Sequence, residues 1–312
     1  MPQPPTPSVP PRFCNYEGSD YRTAFWEGQG REYEDLAERI ALRRLIPPKG
    51  GRLIDIGAGF GRLVDLYAGY QEIVLLDPSR SLLEEARQRL QQQNVIYVAA
   101  NVYSMPFAAP SFDTAVMVRV LHHLSDVPLA LRAIHHILRP AGTLLLEYAN
   151  KRNLKAIARY VLRQQTENPF TTVPWEFQPL HFDFHPAYVT EQLRRAGFSP
   201  NRTLAVSHFR LRLLKQLVPA NRLATFDGWL QPITAPLALT PSIFTSSLKT
   251  GKATSLAEPL FRCPRCKSAK LVPEFDLLIC IECGCRWATN GGIYDFRQPL
   301  DESAASPARS LP

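Results

Sequence analysis

No stretch of this chain approaches the roughly 18 to 20 consecutive apolar residues that a membrane-crossing helix requires. The most apolar late segment, Trp229 to Phe244, is broken by Pro232, Pro236 and Pro241. The N-terminus also lacks an apolar h-region. Residues 1–12 (MPQPPTPSVPPR) contain six prolines and read as a disordered lead-in instead of a signal peptide. Acidic residues are scarce in one place. The net charge of the 312 residues is +8, yet residues 151–256 alone carry +9, while 1–150 carry −1 and 257–312 are neutral. Such a basic segment suits nucleic acid, an anionic membrane surface or an acidic substrate, and equally a solvated face with no partner. Cysteine is nearly absent outside residues 263–285, where only Cys14 occurs. That distribution favours a metal site over a disulfide framework and, with no span or leader, leads to the expectation of a cytoplasmic protein. No internal repeat is evident.

What is present is an alternation of strands and helices. Residues 31–46 place Tyr33, Leu36, Ala37, Ile40, Ala41 and Leu45 at helical spacing, and the run Pro47 to Gly51 ends that helix. Arg52–Ile56 reads as a buried strand, 62–69 as a helix, and Glu72–Leu76 as a second strand ending in Asp77. A helix then starts at Ser79 or Ser81 and runs to about Gln92. Further strands are expected at 95–99, 112–118, 143–148, 201–209 and 241–248, with helices at 126–138, 153–165 and 186–196. Right-handed crossovers then give an α/β fold, a Rossmann-like, seven-stranded, mostly parallel sheet with helices on both faces. The expected organisation is a Pro-rich disordered tail (1–19), a catalytic unit (20–250) with basic insertions at 151–180 and 210–240, a small ribbon (257–300) and a flexible tail (301–312).

The chemistry concentrates at the end of the first strand, in Asp55-Ile56-Gly57-Ala58-Gly59-Phe60-Gly61. A glycine turn between strand and helix lets backbone approach a ligand without an intervening Cβ. The dinucleotide fingerprint needs its third glycine three residues after the second, and Arg62 stands there. Asp77, at the end of the next strand, is placed to accept hydrogen bonds from ribose hydroxyls. Together, LIDIGAGFGRL (53–63), VLLD (74–77), NVYSMPFAAPSFD (101–113) and VRVLHHLSD (118–126) resemble the successive motifs of class I S-adenosylmethionine-dependent methyltransferases, most nearly the group that includes quinone-biosynthesis and many small-molecule enzymes. The resemblance spans roughly residues 20–250. It implies that Gly57, Ala58, Gly59 and Gly61 line the methionine and ribose part of the cofactor, with Asp55 behind the loop. Asp77 and Pro78 would meet the ribose, Asn101 and Val102 would flank the adenine, and Arg119 would open the floor of the site. Where the family usually has Asp, Asn101 stands, and its carbonyl can still accept from the adenine amino group.

Methyl transfer from a sulfonium is an in-line displacement governed by positioning, with a base needed only for a protonated acceptor. No Asn-Pro-Pro-Tyr-type tetrapeptide follows the fourth strand, which argues against exocyclic-amine chemistry on adenine or glutamine. Candidate bases are His122 and His123, after the fourth strand, and His185, before a helix. The first two could face an acceptor or only cap the next helix. Tyr21, Phe25 and Trp26 form an N-terminal flap over the cofactor or simply pack.

Cys263-Pro-Arg-Cys266 and Cys280-Ile-Glu-Cys283 form two thiolate knuckles. Four sulfurs favour structural zinc, with iron or a redox dithiol as the alternative. Cys285 is a spare or a replacement for Cys283. Segment 261–296 resembles the small zinc-ribbon proteins that pair with methyltransferases and activate them. The expected partner is a small-molecule or lipid-like acceptor, and the alternative is tRNA, rRNA or a translation protein engaged through residues 151–256.

Overall fold

The computed structural model describes residues 11–90, 93–252 and 254–300. The first and last stretches of the expected tails, residues 1–10 and 301–312, and the expected helix end at Gln92 lie outside them. Helix α1 (Glu32–Leu45) leads into β1 (Gly50–Ile56), β2 (Tyr70–Asp77), α2 (Arg80–Arg89) and β3 (Val95–Ala99). Then come β4 (Phe112–Met117), α3 (Val127–Ile137), β5 (Leu138–Ala149) and α4 (Leu154–Val161). A hairpin of β6 (Trp175–Gln178) and β7 (His181–Asp183) precedes α5 (Pro186–Arg195), β8 (Phe198–Val206), α6 (Arg212–Leu217), α7 (Ala220–Thr234) and β9 (Ser242–Lys249). Finally come β10 (Leu271–Glu274), β11 (Leu277–Cys280), β12 (Arg286–Ala288) and β13 (Ile293–Leu300). Among the described residues no helix is long and apolar enough to cross a membrane.

The catalytic strands run in the order β3-β2-β1-β4-β5-β9-β8, parallel as far as β5, with β9 antiparallel to both neighbours. This is the Rossmann-like α/β sheet expected. Period-two alternation builds its two cores. Ile54, Ala115, Leu144 and Leu146 face α3 and α5, while Leu53, Val116 and Leu145 face α1 and α7. Side-chain caps start the helices: Ser79 accepts from Leu82 N–H, Asp126 from Leu129 N–H and Asn153 from Ala156 N–H.

One expectation changes, and two that left the local structure open are filled in. Residues 62–69 form only a short 3₁₀ turn, Val64–Tyr67, because Gly61 and Tyr67 hold the chain tightly between β1 and β2. The insertion 210–240 is helical, and α7 continues through Pro232 while burying Leu223, Ala224 and Gln231; tertiary burial outweighs the local cost of a proline. The ribbon does not stand apart. Its strand β13 pairs in parallel with β3 (Ile293 with Tyr97, Asp295 with Ala99), making one eleven-stranded sheet. Phe261 stacks on Phe107 with centroids 5.9 Å apart, and Trp287 and Phe296 join the core on the α3 side.

Candidate functional site

The sheet reverses direction of build between β1 and β4, both hydrogen-bonded side by side. Ligands in open α/β sheets bind at such a switch point, beyond the carboxyl ends of the strands. Here that edge opens into a pocket lined by Gly57, Ala58, Gly59, Asp77, Asn101 and Arg119, with Asp55, Pro78 and Val102 also contributing.

Gly57 has φ +75°, and a Cβ there would run into the Val120 side chain. Gly59 N–H donates to Asp77 Oδ2 at 2.8 Å, and Ser79 N–H donates to Oδ1 at 2.8 Å. The acid therefore ties loop and strand together and keeps lone pairs for a ligand. Burial pushes its carboxyl up to about 6, against the two backbone donors that pull it down. Asp55 accepts from Tyr67 Oη at 2.9 Å, and burial pushes it up to about 7. Gly61 is not in the pocket wall. Its role is close packing of the loop on α2, since a Cβ would come within 2.7 Å of Leu90 Cδ1. Replacing Gly57 by alanine should cost about 2 to 4 kcal/mol, from a left-handed φ and a steric conflict at Val120. Thermal melting and an S-adenosylhomocysteine titration would register this as a lower midpoint and weaker binding; an unchanged pair of values would contradict it.

Asn101 is in the wall, but its carbonyl is already used. It accepts from Tyr103 N–H at 2.9 Å and Ser104 N–H at 3.0 Å, capping a 3₁₀ turn. The expectation that this oxygen accepts from an adenine amino group is therefore corrected: the group left to a ligand is the amide donor. Arg119 adopts φ +60°, with its N–H on Glu147 Oε2 at 2.9 Å. Its guanidinium pairs with fully buried Glu38, which also binds Arg62 at 2.8 Å. Desolvation works against ionised Glu38, but the two arginines outweigh it and hold its carboxyl low. Trp26 lies against this cluster, under Arg62 at 3.8 Å and Arg119 at 4.8 Å from the ring centre.

Of the three histidines expected as bases, one reaches the pocket. His123 lines it. His123 Nδ1–H donates to Leu180 O at 3.1 Å, and Nε2 meets Tyr16 Oη at 3.2 Å. Burial lowers its pKa to about 4, despite the Leu180 bond. His122 lies beside it, 4.0 Å between ring centroids, with Nδ1 buried and without a partner; it is absent from the pocket wall. His185 caps α5 by accepting from Ala187 N–H at 3.1 Å and lines a separate cavity between α5 and α7.

The flap alternative for Tyr21, Phe25 and Trp26 is met at Tyr21 and Trp26, which line the pocket, and the segment before them extends it. Residues expected in a disordered tail lie across the pocket: Phe13, Cys14 and Tyr16 line it together with Tyr21 and Trp26. Cys14 N–H donates to His123 O, and Phe13 bridges to Leu124. Glu17 accepts from Arg80 N–H at 2.8 Å and Ser81 N–H at 3.0 Å, at the start of α2, and binds Arg297 of β13 at 2.6 Å. No helical or strand period marks this segment, so only its aromatics offered a signal.

At the far end, the sulfurs of Cys263, Cys266, Cys280 and Cys283 lie within 4.8 Å of one another. The Cys263–Cys283 and Cys266–Cys280 separations are 3.7 and 3.4 Å. Tetrahedral sulfurs about 2.3 Å from a zinc ion would be about 3.8 Å apart. A disulfide would need about 2.05 Å. The donor set and spacing thus fit such an ion. Cys285 is outside the group and accepts from Arg265 at 3.3 Å.

Residues 54–146 match the family model described as a methyltransferase domain. The chain is 37% identical over 83 residues to a 2-phytyl-1,4-naphtoquinone methyltransferase of Nostoc, covering 25% of this chain and 36% of that protein. It is 31% identical over 106 residues to a ubiquinone/menaquinone biosynthesis C-methyltransferase of Haemophilus ducreyi, covering 31% and 41%. The chain thus spans less than half the length of these curated relatives. In fold it is similar to an S-adenosylmethionine-dependent methyltransferase from Thermotoga maritima (TM-score 0.53, 20% identity, 71% of this chain and 91% of that one). A chain of the complex between the Haloferax volcanii Trm112 methyltransferase activator and a methyltransferase is also similar (TM-score 0.51, 17% identity, 74% and 98%). The strand order, the glycine loop with its acid and the family match over residues 54–146 agree on a methyltransferase domain of Rossmann-like α/β fold in this chain.

Proposed function

We propose that the protein transfers a methyl group to a small, lipid-like acceptor held beneath the N-terminal lid. The observation that carries this reading is the pocket itself, which runs from the Gly57–Gly59 loop and Asp77 to a wall of Phe13, Tyr16, Tyr21 and Trp26. An aromatic wall with few polar groups suits a flat or apolar acceptor, and the matched relatives named as quinone methyltransferases agree with it. Bound S-adenosylmethionine supplies an electrophilic methyl on a sulfonium, which the acceptor displaces in line. In this reading Gly57, Ala58 and Gly59 allow close backbone approach, Asp77 accepts from the ribose hydroxyls, and the Asn101 amide donates to a ring nitrogen. The Arg119–Glu38–Arg62 cluster braces Trp26 and so shapes the acceptor side of the pocket.

His123 is the histidine placed to meet an acceptor. Its Nε2 accepts from Tyr16 Oη, a place an acceptor hydroxyl would take in exchange, and a pKa near 4 keeps it neutral at physiological pH. Such a group orients an acceptor hydroxyl better than it removes its proton. The His123→Ala variant should lose about a hundredfold in turnover, His185→Ala should match the parent, and the rate should show no break near pH 6.5. Mass spectrometry of the co-purified ligand identifies the acceptor, and release of S-adenosylhomocysteine with it gives the rates. A ligand-free preparation that transfers methyl groups to RNA would replace this reading.

Transfer to RNA or a translation protein is the second reading, favoured by the +9 charge of residues 151–256. A steep salt dependence of bulk RNA binding would support it. In both readings residues 20–250 and the ribbon 257–300 act as one body, with zinc on the four cysteines as its structural fastener.

A further inference from the structure

Two helices after residue 150 turn apolar stripes to solvent. In α4, Leu154, Ala158 and Val161 share one helical face, continued by Leu162 at the C-cap, and none of the helix is buried. Leu154 is 63% exposed, Val161 70% and Leu162 65%. Lys155 and Arg159 lie one position further along the same turns and Arg163 follows just past the helix end, making a basic row of three exposed side chains. Helix α7 buries one face towards α1 and leaves Phe226, Trp229 and Ile233 open, the last two at 61% and 71%. The two helices are tied at their ends. Leu154 N–H donates to Leu239 O at 2.8 Å, just past α7, and Asn150 Nδ2 donates to Ala238 O and Thr240 O.

A surface helix ordinarily points its apolar stripe inwards and its charges outwards. Here α4 has an apolar stripe with nothing over it among the described residues. Contiguous exposed apolar surface marks an interaction site. The charge decides the occupant. A second copy of this chain would bring two strongly basic segments together. Nucleic acid would match the charge but offer no apolar partner for Leu154, Val161, Leu162 and Ile233. An anionic lipid surface satisfies both halves: phosphates meet the basic row, and the acyl boundary takes the aliphatic stripe. Trp229 is the side chain suited to that boundary, with an apolar ring and one polar N–H.

We propose that α4 and α7 seat this protein on an anionic lipid surface. This goes beyond methyl transfer, because none of these residues lines the cofactor pocket. It would bring an apolar acceptor, itself dissolved in lipid, to the enzyme.

The test is co-flotation of the full chain with vesicles of phosphatidylcholine alone and of phosphatidylcholine with phosphatidylglycerol. Binding is expected only to the mixed vesicles, and it should weaken as salt rises. The triple variant Lys155→Gln, Arg159→Gln, Arg163→Gln should bind them roughly a hundredfold more weakly, from about fivefold per cation near the surface. The pair Val161→Ser, Leu162→Ser should lose at least about tenfold. Both variants change exposed side chains only, so melting and S-adenosylhomocysteine binding should match the parent. The proposal is overturned if the parent ignores mixed vesicles, or if both variants bind them as the parent does. It is equally overturned if the serine pair abolishes a concentration-dependent dimer and leaves vesicle binding unchanged.

Discussion

Replacing Asp77 by alanine should weaken S-adenosylhomocysteine binding by about a hundredfold or more. Two hydrogen bonds from ribose hydroxyls to a charged acceptor contribute about 1.5 to 3 kcal/mol each, and ten-fold in affinity corresponds to about 1.4 kcal/mol. The loss has a second source, because Gly59 N–H and Ser79 N–H both rest on this carboxylate. The same residue predicts a pH dependence. Burial raises the Asp77 carboxyl from its usual range to about 6. Below that value the group is protonated and offers a donor where the ribose needs an acceptor. Affinity should therefore rise as pH rises through about 6 and level off above it. Asp77→Asn keeps an acceptor for the loop, binds weakly, and should show no such rise. Calorimetric titration from pH 5 to 8 (about one unit either side of the transition and beyond) reads this directly. A flat profile for the parent would assign the ribose to another group.

Removing the proposed zinc from the four-cysteine site should unfold the ribbon and weaken the cofactor site with it. Structural zinc contributes about 10 kcal/mol or more to the folding of a module of this size, which has little core of its own. The consequence reaches the pocket because β13 is the neighbour of β3 and carries Arg297, the partner of Glu17. Glu17 holds the lid segment to the first turn of α2. A strong chelator, or Cys266→Ser with Cys280→Ser, should lower the melting temperature by several degrees and the affinity for S-adenosylhomocysteine with it. Arg297→Ala separates the two effects. Both partners of that ion pair are partly exposed, so its loss should leave the melting point in place and change affinity only severalfold. Metal analysis that finds no bound ion, or chelation that leaves both readouts unchanged, would remove the ribbon from this role.

The parts legible in the sequence were those encoded by neighbours along the chain. Gly57, Gly59 and Asp77 sit within a strand, a turn and the next strand, where backbone geometry alone limits which residues fit. The two CxxC knuckles are equally local. Period-two and helical spacing placed most strands and helices of the sheet, because burial on a strand or helix face leaves its period in the composition. Where that signal was short the reading slipped: residues 62–69 became a 3₁₀ turn, and Pro232 concealed α7, whose buried face outweighs one missing hydrogen bond.

The sequence by itself therefore determined the donor-binding half of the protein: the strand–loop–acid unit, the sheet that holds it and the thiolate set. Tertiary structure decided the rest. It brought Cys14 and Tyr16 onto His123, more than a hundred residues away, placed His123 in the pocket wall apart from His122 and His185, and paired β13 with β3. Each of these is a contact between distant segments, in which hydrogen bonds and burial supply the energy. Such contacts impose no repeat on either segment alone, so no spacing in the chain records them.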